Sequence, residues 1–398
     1  MVRFDPTALP ADFYADPYPT YTALREQSPI HRCPDGTWFL TRHADLERIY
    51  RDRSNYSSDK RVAFAPKYGP GSLLYAHHTT SLVFNDAPYH TRVRRQIVAA
   101  LTPQTLKALE PTVVALVDRL LDAIEARGEA DLVTDFAAAI PVEVIGNLLG
   151  VPHDERGALR EWSLAILGAL EPVLTREQQE FGERSVREFL AYLATLVAER
   201  RRHPGGDHDL LTRLIRDETG GQPLSEHELL HNCVFLLNAG HETTTNLIAN
   251  GLELLMRHRP EFDRLRAQPD LIQTCVEECL RYESPNQLGN RLVVAAVDAG
   301  GVRLEPGAYL TLCIGAANRD PGAFPDAHRF DIARAPNAHL AFAAGAHACA
   351  GMSVARLEAR IALLRAVHRF PRMQVSGTPV RAKRARFRGW QTLPVRVK

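Results

Sequence analysis

The feature that most constrains this chain is one uninterrupted helical pattern from Ser225 to about His258. Ser225 followed by Glu228 is a capping-box signature at its start, and Pro260 stops it. At 1.5 Å per residue such a helix is roughly 50 Å long. Its middle, FLLNAGHETTTNLIANGL (Phe235–Leu252), is apolar on both flanks and polar at the centre. A helix that long and that apolar has to cross a core, and a 398-residue chain that is 45% hydrophobic can supply one. Glu242, Thr243 and Thr244 then sit near a buried midpoint. Burying such groups costs free energy unless they are hydrogen-bonded or functional.

Apolar residues at i, i+3 and i+4 predict further helices near 19–27, 88–100, 103–127, 141–150, 154–170, 176–202, 270–282 and 352–369. Strand-like runs are short: WFLTR (Trp38–Arg42), RLVVAAV (Arg291–Val297) and GVRLEPGAYLTLCI (Gly301–Ile314), the last read as two strands joined at Pro306-Gly307. The expected class is mainly α with a minor β region. The RRHPGGDHD stretch (Arg201–Asp209) is the best linker candidate, but it is short and lies between helical patterns. Residues 1–398 are therefore read as a single domain. It has a helix-rich bulk and a smaller β-rich subregion near the N-terminus, 291–314 and 373–398.

Charge and cysteine usage exclude several classes. The 48 Lys and Arg against 47 Asp and Glu give a net charge of +1 with no basic or acidic tail, so bulk charge argues neither for nor against nucleic acid, and no nucleic-acid partner is expected. No apolar run of about 20 residues could span a bilayer. The N-terminus, broken by prolines and charges, shows no basic-then-apolar leader. The expectation is a soluble, cytoplasmic protein. Six cysteines (Cys33, Cys233, Cys275, Cys279, Cys313 and Cys349) are scattered without a C-x-x-C pair, which fits a reducing compartment. Cys275 and Cys279, four apart on a helix, read as core thiols.

Cys349 is different. It sits in HLAFAAGAHACAGMSVAR (His339–Arg356), between Gly345 and Gly351, with a helical pattern directly behind it. Glycines there permit tight turns and close approach of a flat ligand. The helix macrodipole favours a thiolate at such a start. One thiolate suits an iron already held by four porphyrin nitrogens, and cysteine-ligated haem pushes electron density onto the iron. A buried structural thiol in a Gly-rich turn is the other reading. Glu278 and Arg281, three apart, can pair on one helix face, as surface residues often do. His90 and Arg94, in DAPYHTRVRRQ, share a face that can grip a carboxylate or phosphate, or else is plain surface charge. HETTT at His241 begins like a zinc-protease motif, but position 245 is Thr, so no zinc site is expected.

Taken together, these stretches resemble the cytochrome P450 family along nearly the whole chain. FAAGAHACAG (Phe342–Gly351) resembles the haem-thiolate loop, AGHETT (Ala239–Thr244) the oxygen-binding motif, ECLR (Glu278–Arg281) the E-x-x-R pair, DAPYHTRVRR the family's D-P-P-x-H-x-x-x-R segment, and FPDAHRFDIAR (Phe324–Arg334) the meander. The resemblance implies that Cys349 is the axial ligand of haem b, with Phe342 shielding the thiolate side and Gly351 closing the loop. It implies that His90, Arg94, Arg291 and His347 hold the haem propionates. Glu278, Arg281 and Arg329 would form a buried charge network, and Glu242 and Thr243 an acid–alcohol pair. Ala343 stands where the family's cysteine loop has its first glycine, and Ala87 where the family's D-P-P-x-H segment has its first proline before His90.

The chemistry of the pair is direct. A hydroxyl at Thr243 can position a water and donate a hydrogen bond, while Glu242 gates the proton supply. Gly240 leaves room where oxygen must fit, and Thr243 is expected to bond back to the Ala239 carbonyl, opening the helix locally. The implied activity is a monooxygenase that inserts one atom of O2 into a mainly apolar small organic substrate, by hydroxylation as the default. Electrons would come from an external ferredoxin and its NAD(P)H-linked reductase, docking near Arg92, Arg95 and Arg356. A peroxide-driven peroxygenase and a non-enzymatic haem-thiolate sensor or carrier are the alternatives. The intact Glu242–Thr243 pair argues against both. The substrate pocket is expected from the loop around 62–83, the helices near 160–190, Phe235–Ala239, Gln287–Val293 and the turn near Trp390, with His77 and His78 either contacting a ligand or, as the simpler reading, facing solvent.

Overall fold

Helix fills most of the chain in the computed structural model, which describes residues 3–206, 209–216 and 222–398. In chain order, the described helices of ten or more residues are α1 (Tyr18–Gln27), α2 (Tyr89–Ala100), α3 (Pro103–Arg127), α4 (Ala139–Leu149), α5 (Gly157–Gly168), α6 (Arg176–Arg202), α7 (Glu226–Arg257), α8 (Ile272–Tyr282) and α9 (Met352–Arg369). All follow the apolar periodicity to within a few residues. The α7 capping box is made as expected: the Ser225 N–H donates to the Glu228 carboxylate at 2.8 Å, and the Glu228 N–H to the Ser225 hydroxyl at 3.2 Å. Pro260 does end α7, and it also opens a further short helix, Arg259–Ala267.

The chain folds as two compact units. The first combines Met1–Ser57, Val114–Ala138 and Thr243–Lys398, and the second Ser58–Val113 and Ala139–Glu242. Neither is continuous in sequence, and α3 and α7 contribute to both. The Arg201–Asp209 stretch separates nothing, since it falls inside the second unit. Two of its residues, Asp207 and His208, lie outside the described residues.

The first unit holds a five-stranded sheet of β1 (Ile30–Arg32), β2 (Trp38–Leu40), β3 (Tyr56–Ser57), β4 (Leu288–Val293) and β5 (Tyr309–Cys313), in the order β1-β2-β5-β4-β3. Only the β2–β5 pairing is parallel among these neighbours. One face covers a core of Leu40, Leu46, Ile49, Tyr50, Val293, Leu310 and Leu312. The two strands flanking Pro306-Gly307 do not pair with each other. Val302–Leu304 pairs with Val297–Ala299 in a separate ribbon, and β5 joins the large sheet.

In the second unit the structure corrects the sequence reading. The 62–83 segment is not a loop but carries two eight-residue helices, Arg61–Tyr68 and Leu73–Thr80. Eight residues are about two turns, too few for apolar periodicity to stand out. Such helices depend on tertiary support. Here the Glu183 side chain on α6 accepts from the N–H groups of Leu73 at 2.8 Å and Leu74 at 3.1 Å, and Ser72 caps Tyr75 at 3.0 Å. His77 and His78 therefore face inward, each 2% exposed.

Candidate active site

The Phe342–Gly351 loop is pinched shut by backbone. The Cys349 N–H donates to the Phe342 carbonyl at 2.9 Å, and Gly345–His347 makes a single 3-10 turn closed by Ala348 N–H to Gly345 O at 3.1 Å. Gly351 is then the N-cap of α9. Gly345 is irreplaceable on two counts. Its φ is +69°, and a Cβ there would lie 2.4 Å from the Tyr50 carbonyl oxygen. Ala343 adopts φ +56°, the left-handed conformation that glycine would take without strain. Cys349 is half-buried, whereas the other five cysteines are buried.

Behind the loop, α8 supplies two carboxylates. Glu277 accepts from Arg356 at 2.7 and 2.6 Å and contacts the His339 ring nitrogen at 3.1 Å. Burial opposes ionisation of Glu277, but these hydrogen bonds outweigh it and hold the carboxyl down at about 2. The Arg356 guanidinium lies 4.8 Å from the Phe342 ring centre, so the ring beside Cys349 is backed by a fixed cation. Glu278 and Arg281 are wholly buried and paired at 2.7 and 2.8 Å. Arg281 also donates to the carbonyls of Asn318 (2.9 Å), Ala327 (2.8 Å) and Arg329 (3.1 Å). This is no surface pair.

The third side chain of that network is Arg334, not Arg329. Arg334 reaches the Glu278 carboxylate at 3.2 Å and is 11% exposed. The Arg329 side chain is 64% exposed and comes no closer to an acid than 4.0 Å from Asp331. Arg329 contributes only its carbonyl. The left-handed Asp326 at the start of this segment (φ +50°) and the Arg329 N–H to Asp326 carbonyl bond at 2.8 Å form a turn. Beyond that turn, Arg334 is the arginine that reaches Glu278.

From His231 to Leu255, every residue of α7 is buried except Phe235, Leu236, Ala239, Gly240 and Thr243. These five recur at three- and four-residue spacing, so one stripe of an otherwise covered helix stays open. A Cβ on Gly240 would meet only Ile145, at 4.0 Å. Glu242 is 6% exposed, at the flank of that stripe.

The cytochrome P450 family model matches residues 161–387. The chain is 34% identical over 389 residues to the biotin biosynthesis cytochrome P450 of Bacillus subtilis (strain 168), with 97% of each chain covered. This chain is a member of the cytochrome P450 family. It is also 38% identical over 401 residues to the cytochrome P450 monooxygenase PikC of Streptomyces venezuelae, covering 98% of this chain and 93% of that one. The structure of P450BioI in complex with hexadec-9Z-enoic acid ligated acyl carrier protein matches with a TM-score of 0.92 at 33% identity, over 98% of this chain and 100% of that one.

Cytochromes P450 are haem b enzymes, and the donor set of this P450 fits that group. Among the described residues no cluster of three or more His, Cys, Asp or Glu side chains could hold a metal ion by itself. The Cys349 loop offers one thiol, which suffices only for an iron that brings its other in-plane ligands with it. Cys349, Phe342, His347 and Gly351 share that loop in the first unit. Arg291 is on β4 of the same unit, 8% exposed, with its guanidinium 5.0 Å from the Tyr50 ring centre and a hydrogen bond to the Asn290 carbonyl at 2.8 Å. Burial pushes the Tyr50 hydroxyl up to about 12 even though Arg291 opposes the shift. His90, Arg94, Ala239, Gly240 and Glu242 belong to the second unit. His90 is 4% exposed on α2, and Arg94 is half-buried one turn later.

Glu277, His339 and Arg334 join the site without having been expected there. Only Arg334 had a signal, as the second arginine of HRFDIAR. Of the basic residues suggested for docking, Arg92 pairs with Glu228 at 3.2 Å and Arg356 with Glu277, leaving Arg95 as the exposed member. Among the described residues, no helix is long and apolar enough to cross a membrane.

Proposed function

We propose that this P450 hydroxylates a mainly apolar small organic substrate with O2, using electrons from a ferredoxin and an NAD(P)H-linked ferredoxin reductase in the cytoplasm. Residues 1–398 act as one haem domain. The reading is supported by a loop with one thiol and, separately, by an open stripe on α7 that bears Ala239, Gly240 and Thr243 next to an acid, Glu242. Cys349 would ligate the haem iron, and Arg291, His347, His90 and Arg94 would hold its propionates. Haem bound there supplies the iron at which dioxygen is reduced.

The other steps fall to the protein. Gly240 and Ala239 keep α7 free of bulk at the reacting position. Thr243 orients a water by hydrogen bonding, and Glu242 passes protons to it from a covered position, which keeps bulk water out. Phe342 shields the thiolate side, and Arg356, fixed by Glu277, holds that ring in place. Glu278, Arg281 and Arg334 tie the meander to α8 and so fix the floor beneath the loop.

The P450BioI structure is a complex with an acyl carrier protein to which hexadec-9Z-enoic acid is ligated. Carrier-bound delivery is therefore a second reading for how substrate reaches this site. Titrating the oxidised enzyme with a diverse panel of small apolar compounds tests the substrate class, because a substrate that displaces water from the iron shifts the haem absorption band. NADH-driven turnover of any compound that shifts it, with a surrogate ferredoxin and reductase, tests the reaction. Product formed with peroxide but not with NADH would sink the ferredoxin assignment.

A further inference from the structure

Asn238 lies on α7, next to Ala239 and one turn ahead of Glu242. Its side chain is 1% exposed. Neither its amide nitrogen nor its amide oxygen has a hydrogen-bond partner among the described residues. Buried amides are nearly always paired, because an unmade bond leaves the whole desolvation cost standing. Two other buried asparagines of α7 obey this rule: Asn232 accepts from the Leu82 N–H at 2.9 Å, and Asn250 donates to the Arg388 carbonyl at 3.0 Å. Asn238 is the exception, and its neighbour on the same side of α7 is Phe235 at i−3, the partly uncovered residue at the edge of the open stripe.

We propose that Asn238 is a specificity-determining residue that binds a hydroxyl group of the substrate. This rests on the monooxygenase reading and adds a polar anchor to its apolar substrate. The chemistry selects the group. Asn238 presents an unused acceptor and unused donors, and a hydroxyl both donates and accepts, so it can satisfy both ends with a single oxygen. A ketone would leave the amide oxygen unpaired. A carboxylate would do the same and would bury a second negative charge one turn from Glu242. Access requires a side chain to swing aside, and Phe235 is the partly uncovered neighbour at i−3. The anchored hydroxyl then sits about one helical pitch, ~5 Å, along α7 from Glu242.

The test uses the haem-loaded enzyme and a ladder of 1-alkylimidazoles of about three to eight carbons, each with and without a terminal hydroxyl. The imidazole nitrogen ligates the iron and reports binding through the haem band, while the chain length scans the distance to Asn238. At one or two lengths the hydroxyl form should bind roughly ten-fold tighter than its alkyl partner, the value of one well-made neutral hydrogen bond. Asn238→Leu should erase that difference while binding the alkyl forms as well as wild type. The substrate-free variant should also melt no lower than wild type, since it removes an unpaired buried amide. If no hydroxyl form beats its partner at any length, as expected were the amide reserved for a buried water, the proposal fails. A marked fall in the melting temperature would also overturn it, by giving the amide a structural role. If no imidazole shifts the band at all, the haem reading itself is at fault.

Discussion

Two positions in the cysteine loop take the left-handed backbone, and they make opposite statements. Gly345 has no room for a side chain and has the φ that glycine tolerates. Ala343 has that φ with a methyl attached. Left-handed alanine costs about 1 kcal/mol relative to glycine, even after the greater freedom of an unfolded glycine is counted. Ala343→Gly is therefore expected to raise the stability of the holoenzyme by about 1 kcal/mol and to keep its haem; a lower melting temperature would show that the methyl makes a contact worth more than the strain. Thr243, on the uncovered stripe of α7, is the residue to which we assign a chemical role instead. Thr243→Ala should retain haem and substrate binding while NAD(P)H is consumed with little product and peroxide accumulates. Tight coupling in that variant would remove Thr243 from the proton path.

Among the elements, α8 and the segment after it depend on a buried charge cluster. Glu278 receives Arg281, Arg334, the Asp331 N–H at 3.0 Å and the Asn337 amide at 3.2 Å. Removing one partner of a buried charge leaves an uncompensated ion, so Arg334→Ala should cost about 3 kcal/mol in chemical denaturation. Arg329→Ala, which removes an exposed side chain, should stay within about 0.5 kcal/mol. Equal effects would dissolve the distinction between them. This is also where sequence reading reached its limit. The long helices were legible because many apolar turns repeat, and α6 and α9 begin and end where the pattern says. The Arg61–Tyr68 and Leu73–Thr80 helices were not, because each is two turns stabilised by distant side chains such as Glu183. Within the site, Cys349 and the ECLR pair were legible as local patterns. Arg334 and Glu277 were not, because their roles exist only once α8 meets residues more than fifty positions away. Asn238 was visible as a letter, but its missing partners are a property of packing.

For the whole molecule, buried titratable groups set the response to acid. Burial, helped by neighbouring charges, lowers His231 and His241 to about 4 and His77 well below 6.5. The unfolded chain protonates these sites near 6.5; the folded chain protonates His231 and His241 only near 4, and His77 only well below its ordinary value. Their contribution is thus intact above pH 6.5 and lost as pH falls toward 4. Glu253 and Glu358 are pushed up by burial and act in the opposite sense, losing stability as pH rises above 4.5. A difference measurement separates the two: between pH 6.5 and 4.5, His231→Gln should lose less melting temperature than wild type. Equal losses would show that His231 already protonates freely in the folded chain. All of these properties serve one centre, and its identity is the claim to test first. Absorption and electron paramagnetic resonance spectra of the haem-loaded enzyme should be compared across wild type, Cys349→Ser and a variant with the other five cysteines replaced by alanine. A thiolate-ligated low-spin signature in wild type and in the five-cysteine variant, lost in Cys349→Ser, is the predicted result. The same thiolate signature persisting in Cys349→Ser would contradict the account at its root.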